Sequence, residues 1–402
     1  MSSRLDSKAI GAILLIVGTS IGAGMLALPV ANASSGFIYS SLFLVGCWLV
    51  MTFGALCILE VNLWLPSGSS MVSMAEATLG LIGKAIAWFT FLFLFYTLLA
   101  GYISGGTDIL QNFFRLSGYH LPPKMASILV TLILGSIVYK GIRIVDYANR
   151  GLMSAKILVY LLLAALIAPH IQLSNLQGGE LKKVLGSMMV MITSYGFACI
   201  IPSLHIYLKE DAVKLRKVIL IGSLCPLIVY LIWDAVIMGV IPLNESDGLL
   251  AILHSRHQIT GLAASLESIL KSAWVTEWFR FFSSICMLTA FLGVGISLFD
   301  FLADGLKLRR VGGQGILVAL ATFLPPLIVV MTLHNAFILA LAYAGVFVVI
   351  LLLIMPILMV WSGRYHTHLS HGYRVMGGKL SLGVALLISL VVLFIGIEEL
   401  IY

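Results

Sequence analysis

The 402-residue chain reads as an all-α polytopic membrane protein with about 11 transmembrane helices. Three observations carry this reading. Hydrophobic residues make up 60% of the sequence against 10% charged, and the mean hydropathy is +1.09, well outside the balance of soluble domains. Apolar stretches near the spanning length of about 20 residues recur along the whole chain. Two of these stretches are interrupted at their centres, at corresponding positions of the two halves. On a soluble chain the net charge of +7 would point to nucleic acid. Here the basic residues lie between apolar spans, so the expected partner is the lipid bilayer and no nucleic acid is expected. Cys47, Cys57, Cys199, Cys225 and Cys286 all fall in apolar segments without metal-type spacing, and are expected to pack as small hydrophobes.

In chain order the spans are expected at 8–33, 37–61, 84–112, 124–139, 150–169, 184–207, 216–241, 273–302, 313–332, 335–361 and 379–400. The longest segments between them, 62–83 and 242–272, are too short for a separate folded domain. The first span imitates a cleaved secretory signal, with Arg4 and Lys8 before it and Ala31-Asn32-Ala33 at its end. Its apolar run is too long for one and contains Pro29, so it is read as retained. Its centre, Gly18-Thr19-Ser20-Ile21-Gly22-Ala23-Gly24, holds three glycines, each weakening a helix by roughly 1 kcal/mol. In hydrocarbon a broken helix is tolerated only beside protein or a cavity, where its freed N–H and C=O groups find partners. The same residues also suit a small-residue face packed on another helix. This stretch alone does not separate the two readings.

The sixth span has Thr193-Ser194-Tyr195-Gly196 at its centre and Pro202 after it, as the first has Gly22 and then Pro29. Five crossings separate the two, an odd number, so the halves have opposite topology. Paired interrupted spans of this kind mark an inverted-repeat transporter with its site at the bilayer midplane. The competing reading is a proline kink beside a chance glycine. The expected organisation is one transmembrane domain over 1–402, with a first repeat at 8–169, a second at 184–361 and an extra span at 379–400. Of the 24 lysines and arginines, 17 fall on the N-terminal side of the alternating spans and 7 opposite. By the positive-inside rule the N-terminus is cytoplasmic and the C-terminus outside.

The run 16–29, IVGTSIGAGMLALP, with Leu59-Glu60-Val61-Asn62-Leu63 and Ile192-Thr193-Ser194-Tyr195-Gly196-Phe197, resembles the bacterial hydroxy and aromatic amino acid permease family. Its tyrosine-specific members are the nearest likeness. The resemblance covers nearly the whole chain and implies a place in the amino acid–polyamine–cation superfamily. It further implies 11 spans with a five-plus-five inverted repeat, and import of an aromatic amino acid with protons across a bacterial inner membrane. In that superfamily the substrate carboxylate meets backbone N–H groups of the first break, here Gly22, Ala23 and Gly24. The ammonium meets carbonyls at the ends of the unwound segments, here Gly18, Thr19, Ser194 and Tyr195, beside Gly196.

An aromatic side chain needs a flat, mostly apolar slot. Tyr195 and Phe197 in the sixth span, Tyr102 in the third and Phe291 in the eighth are the candidates, although most aromatics in such a chain pack or face lipid. Charges inside spans are costly and therefore informative. Lys156 lies about two turns into the fifth span. In some proton-coupled relatives a lysine on this helix replaces the sodium ion held between spans one, five and eight. Lys156 is also only about 10 Å along the helix from Asn149, within snorkelling reach. The eighth span offers Thr289 and Ser297 but no adjacent hydroxyl pair to cage sodium, which favours protons. Asp108 and Asp234 are candidates for proton relays or for groups facing a water-filled vestibule. Asp300 and Asp304 are expected to pair with nearby Lys307, and Glu60 to cap or pair near the cytoplasm.

Other classes fit poorly. A channel needs a pore ringed by polar or charged groups, and the spans contain no such ring. An intramembrane enzyme needs a nucleophile and base, and the hydroxyl-rich stretch 18–24 has no histidine in its own span. His366, His368 and His371 could bind metal, but between Arg364 and Arg374 they read as a solvated loop. No GxxxxGK[ST] loop appears, which argues against an ATP-driven pump. No cofactor is expected; the partners are a small amino acid and protons.

Overall fold

A computed structural model describes residues 7–66, 69–140, 142–208, 211–245, 247–333 and 336–401, with 142–150 and 336 described as backbone only. Arg4, Lys209 and the side chains of Arg143 and Arg150, used above for orientation, lie outside the described residues. Among the described residues the chain is helical, with no strand. The helices are α1 (Ser7–Ser20), α2 (Ala23–Ala31), α3 (Gly36–Trp64), α4 (Met71–Leu116), α5 (Pro123–Tyr139), α6 (Ile142–Ile167), α7 (Leu173–Leu176), α8 (Val184–Ser194), α9 (Ile201–Tyr207), α10 (Ala212–Val240), α11 (Leu249–His254), α12 (Gln258–Leu270), α13 (Ala273–Gly305), α14 (Gly312–Thr332), α15 (Ala336–Val349), α16 (Met355–Tyr365) and α17 (Gly378–Ile401). Among the described residues nine helices, counting those continuous across short irregular turns, are long and apolar enough to cross a membrane. The bent pair α1 and α2 makes a tenth, and α5 is a shorter apolar helix. Each of the eleven expected spans thus coincides with a helix.

Local chemistry accounts for the ends and the irregularities. Ser70 caps α4, its Oγ accepting from the Ser73 N–H at 3.2 Å, and Asp211 caps α10 by accepting from the Lys214 N–H at 3.0 Å. The segment 62–83, expected as a connection, already turns helical at Met71. Gly80, at φ +71°, is the kink that lets this short lead-in meet the span, a conformation glycine adopts without steric cost. Between α15 and α16 the residues Ile350–Ile354 form a π turn just before Pro356. Proline has no N–H and clashes with the preceding turn, so the helix cannot run straight through. The backbone swollen there lies against Gly54 of α3, where any Cβ would meet the Leu352 carbonyl.

The broken helices sit in the middle of the packing. α10 lies along α1, α2 and α3, while α2 rests on α8. α13 packs against α4 and α6, and α15 against α4 and α8. The peripheral α17 leans on α8 and α15, with Gly396 seated on Met189. At one end of the molecule Glu60 and Arg364 form a buried, bidentate ion pair, Nε to Oε1 at 2.7 Å and Nη2 to Oε2 at 2.5 Å. The Val375 N–H also donates to Glu60 at 2.7 Å, so α3, α16 and the following loop are tied together. The expected pairing of Asp300 and Asp304 with Lys307 gives way to Arg310, which reaches both, at 3.1 and 3.0 Å. Lys307 instead takes a left-handed turn, φ +54°, as the chain leaves α13.

Candidate functional site

The first break is real, and it is sharp. α1 and α2 meet at 49° across Ile21 and Gly22. The first N–H groups of α2 have no acceptor within their own helix, and no side chain caps them at Gly22. Gly22 is buried, yet a Cβ there would meet nothing within 4 Å, so unfilled space adjoins the half-helix N-terminus. Backbone N–H groups at such an end, with the helix dipole behind them, favour an anion. Gly24 is different: a Cβ there would lie 2.7 Å from the Ser194 Oγ and 3.2 Å from its Cα. The second break is gentler than expected. α8 ends at Ser194, and a 3₁₀ stretch, Gly196–Ile200, carries the chain into α9. Gly196 also has open space where a Cβ would stand. Gly24 thus holds the two interruptions in contact, while Gly22 and Gly196 leave room.

The carbonyls freed by the breaks have partners. Lys156, fully buried on α6, donates from Nζ to the Ile21 carbonyl and to the Gly18 carbonyl at 3.4 Å. Its stem does not snorkel to an end of the span, and among the described residues no carboxylate pairs with it. A Cβ on Gly18 would overlap Met153, one turn before Lys156, so glycine lets α6 approach close enough for this bond. On α10 the Tyr230 hydroxyl stands 2.7 Å from the Ser20 carbonyl oxygen and 2.8 Å from that of Ser194. One hydroxyl proton therefore serves both interrupted helices. Nothing in the sequence marks Tyr230, since an isolated tyrosine within an apolar span carries no spacing signal.

The aromatic candidates divide. The Tyr195 ring is buried edge-on against Tyr230, centroids 5.4 Å apart, and among the described residues its hydroxyl has no hydrogen-bond partner. Tyr102 on α4 lies within electrostatic reach of Cys199 in the 3₁₀ stretch and of Tyr230. Phe197 is buried in the 3₁₀ stretch itself. Phe291 stacks on Phe323 of α14, 5.6 Å and 7° from parallel, which places it in the α13–α14 packing. Thr19 is exposed, its hydroxyl turned back to the Ile16 carbonyl at 2.9 Å. Ala23 is buried at the start of α2.

Open space is found elsewhere. Two adjoining cavities of about 240 and 250 Å³ lie at the C-terminal end of α4, and share Asn112 and Thr260. No residue of either break lines them. Beside the second cavity Asp108 caps α12: its Oδ2 accepts from the Ile259 and Thr260 N–H groups, each at 3.0 Å. Its Oδ1 lies 2.9 Å from His257 Nδ1, and this contact raises the half-exposed histidine above its ordinary range. Asp108 is thus committed to a helix cap. Among the described residues no group of three or more His, Cys, Asp or Glu side chains could hold a metal.

Comparison with known proteins agrees with this architecture. The profile of the tryptophan/tyrosine permease family matches residues 6–396. Tyrosine-specific transport system 2 of Haemophilus influenzae is 34% identical over 395 residues, 97% of this chain and 96% of the relative. The tryptophan-specific transport protein of the same organism is 29% identical, covering 97% of this chain and 96% of its own length. Glutamine transporter 2 of Aliivibrio fischeri is also 29% identical, with 97% and 99% covered.

Proposed function

We propose that this chain, which belongs to the tryptophan/tyrosine permease family, imports L-tyrosine together with protons by alternating access. It is an integral membrane transport protein of an aromatic amino acid permease family. In our reading its N-terminus is cytoplasmic and its C-terminus outside, in a bacterial inner membrane. Two inverted repeats, 8–169 and 184–361, surround the site, with 379–400 added. The single observation that carries the reading is the meeting of the two interrupted helices at Gly24 and Ser194, with space left beside Gly22 and Gly196. The substrate carboxylate would take the N–H groups of Gly22, Ala23 and Gly24, and its ammonium the carbonyl edges at 18–19 and 194–195. Tyr102, which interacts with Cys199 of the 3₁₀ stretch, and Phe197, within that stretch, support an aromatic slot next to the head-group. The Lys156 ammonium occupies the carbonyl end of the break, where a coupling cation would otherwise sit, which supports proton over sodium coupling.

The test is uptake of labelled L-tyrosine into proteoliposomes under an inward proton gradient in sodium-free buffer. Unlabelled tyrosine, tryptophan, phenylalanine, leucine and glutamine compete in parallel. Proton-driven accumulation blocked chiefly by tyrosine is the expected result, and Lys156→Ala is expected to abolish accumulation. A sodium requirement would overturn the coupling ion. Competition chiefly by tryptophan or glutamine would move the substrate to that of the corresponding relatives, with the fold unchanged.

A further inference from the structure

α10 also reaches the α2 half-helix through a polar side chain, Asp234, one turn beyond Tyr230. Asn32, the residue that closes α2, donates from Nδ2 to Asp234 Oδ2 at 2.8 Å. Both side chains are buried, Asn32 at 0% and Asp234 at 1% exposure. The other oxygen of each, Asn32 Oδ1 and Asp234 Oδ1, is buried and among the described residues has no hydrogen-bond partner. An ionised carboxylate and an amide carbonyl are both acceptors only, so neither oxygen can satisfy the other. Leaving two such atoms dry and unpaired is costly. One proton on Asp234 Oδ1 would make one of the two a donor. A carboxylic acid facing a primary amide forms a closed ring of two hydrogen bonds, N–H to C=O in one direction and O–H to C=O in the other.

We propose that Asp234 carries a proton on Oδ1, donated to Asn32 Oδ1, and is the residue that holds the transported proton while the loaded carrier reorients. The proton arrives from water on the outer side and leaves to water on the inner side once substrate has gone. No other bond changes. Tyr195, at the end of α8, interacts electrostatically with Asp234, Tyr230 stands one turn before it on α10, and Tyr160 on α6 packs on the adjacent Trp233. All three are phenols, uncharged near neutrality. Among the described residues no lysine, arginine or second carboxylate interacts with Asp234. Lys156 lies at the break itself, on the Gly18 and Ile21 carbonyls, with the whole of α2 between it and Asn32, so the two roles separate: the lysine substitutes for a fixed cation, and the aspartate carries the mobile charge. This inference rests on the proton-symport reading above.

The experiment pairs infrared spectroscopy with transport. Purified wild-type protein is expected to show the C=O band of a protonated carboxyl group that disappears in Asp234→Asn. In Asn32→Ala the band should move to higher frequency, because the acid carbonyl loses its hydrogen-bond donor. Asp234→Asn places an amide opposite an amide, which keeps both hydrogen bonds, so the fold is retained. In proteoliposomes this variant is expected to exchange internal for external tyrosine at a rate within about twofold of wild type, but to lose proton-driven accumulation. A wild-type spectrum without that band, or an Asp234→Asn variant that still accumulates tyrosine with an unchanged pH profile, would overturn the proposal. Wild-type protein that shows the band yet transports without a proton gradient would instead overturn the symport reading, and with it the carrier role of Asp234.

Discussion

Two glycines two residues apart play opposite parts. Gly22 borders empty space and Gly24 is pressed against Ser194. Valine at Gly22 should therefore leave insertion and melting temperature unchanged while abolishing uptake, because the added methyls fill the space where a carboxylate would dock. Valine at Gly24 should lower the melting temperature as well, because Ser194 has to move. Thermal unfolding in detergent beside tyrosine uptake separates the two, and normal transport by a correctly inserted Gly22→Val would remove the carboxylate assignment. Tyr230→Phe strips the shared donor from two buried carbonyls, at a cost of about 1–3 kcal/mol, and should appear as a reduced unfolding midpoint with slower uptake. The glycines were legible in the sequence because their spacing is abnormal for a spanning helix. Tyr230 and the Asn32–Asp234 pair were not, since both contacts join residues some 200 positions apart and leave no local pattern.

At the level of the helices, most of the architecture follows from hydropathy alone, and each of the eleven expected segments became a helix. The departures have local causes. The chain turns helical at Met71, Gly80 with positive φ kinks this lead-in onto the span, and Pro356 opens a π turn in what reads as uniform apolar sequence. The second break is softer than its composition suggests, because a 3₁₀ stretch keeps most of the backbone bonded. α12 shows how an element outside the spans is held. Asp108 fixes its N-terminus, and His257 adds a bond that strengthens on protonation. Because the folded histidine lies above its ordinary value of about 6.5, that contribution is complete at lower pH and fades as pH rises through the raised folded value. Hydrogen exchange at the Ile259 and Thr260 amides, corrected for intrinsic rates, should accelerate across that window in wild type. In His257→Gln it should show no such step.

For the whole molecule, the Glu60–Arg364 pair is the tie between the first half of the chain and the end of the second. Arg364→Ala leaves a buried carboxylate without its partner, a change of roughly 3–5 kcal/mol. It should sharply lower the yield of folded protein in membranes, and joint replacement of the pair by Gln and Met should recover most of it. The same tie decides which changes of length the chain can survive. The π turn at Ile350–Ile354 stores one surplus residue between α15 and α16. Deleting a single residue there would let the helix close to an ordinary α-helix with the residues beyond it still on the same faces, whereas a deletion after the turn, between Met355 and Arg364, would rotate everything beyond it by about 100°. Arg364 would then face away from Glu60. Among related chains, substitutions should accumulate freely along the lipid-facing side of this helix, whereas one-residue insertions and deletions between Met355 and Arg364 should be purged.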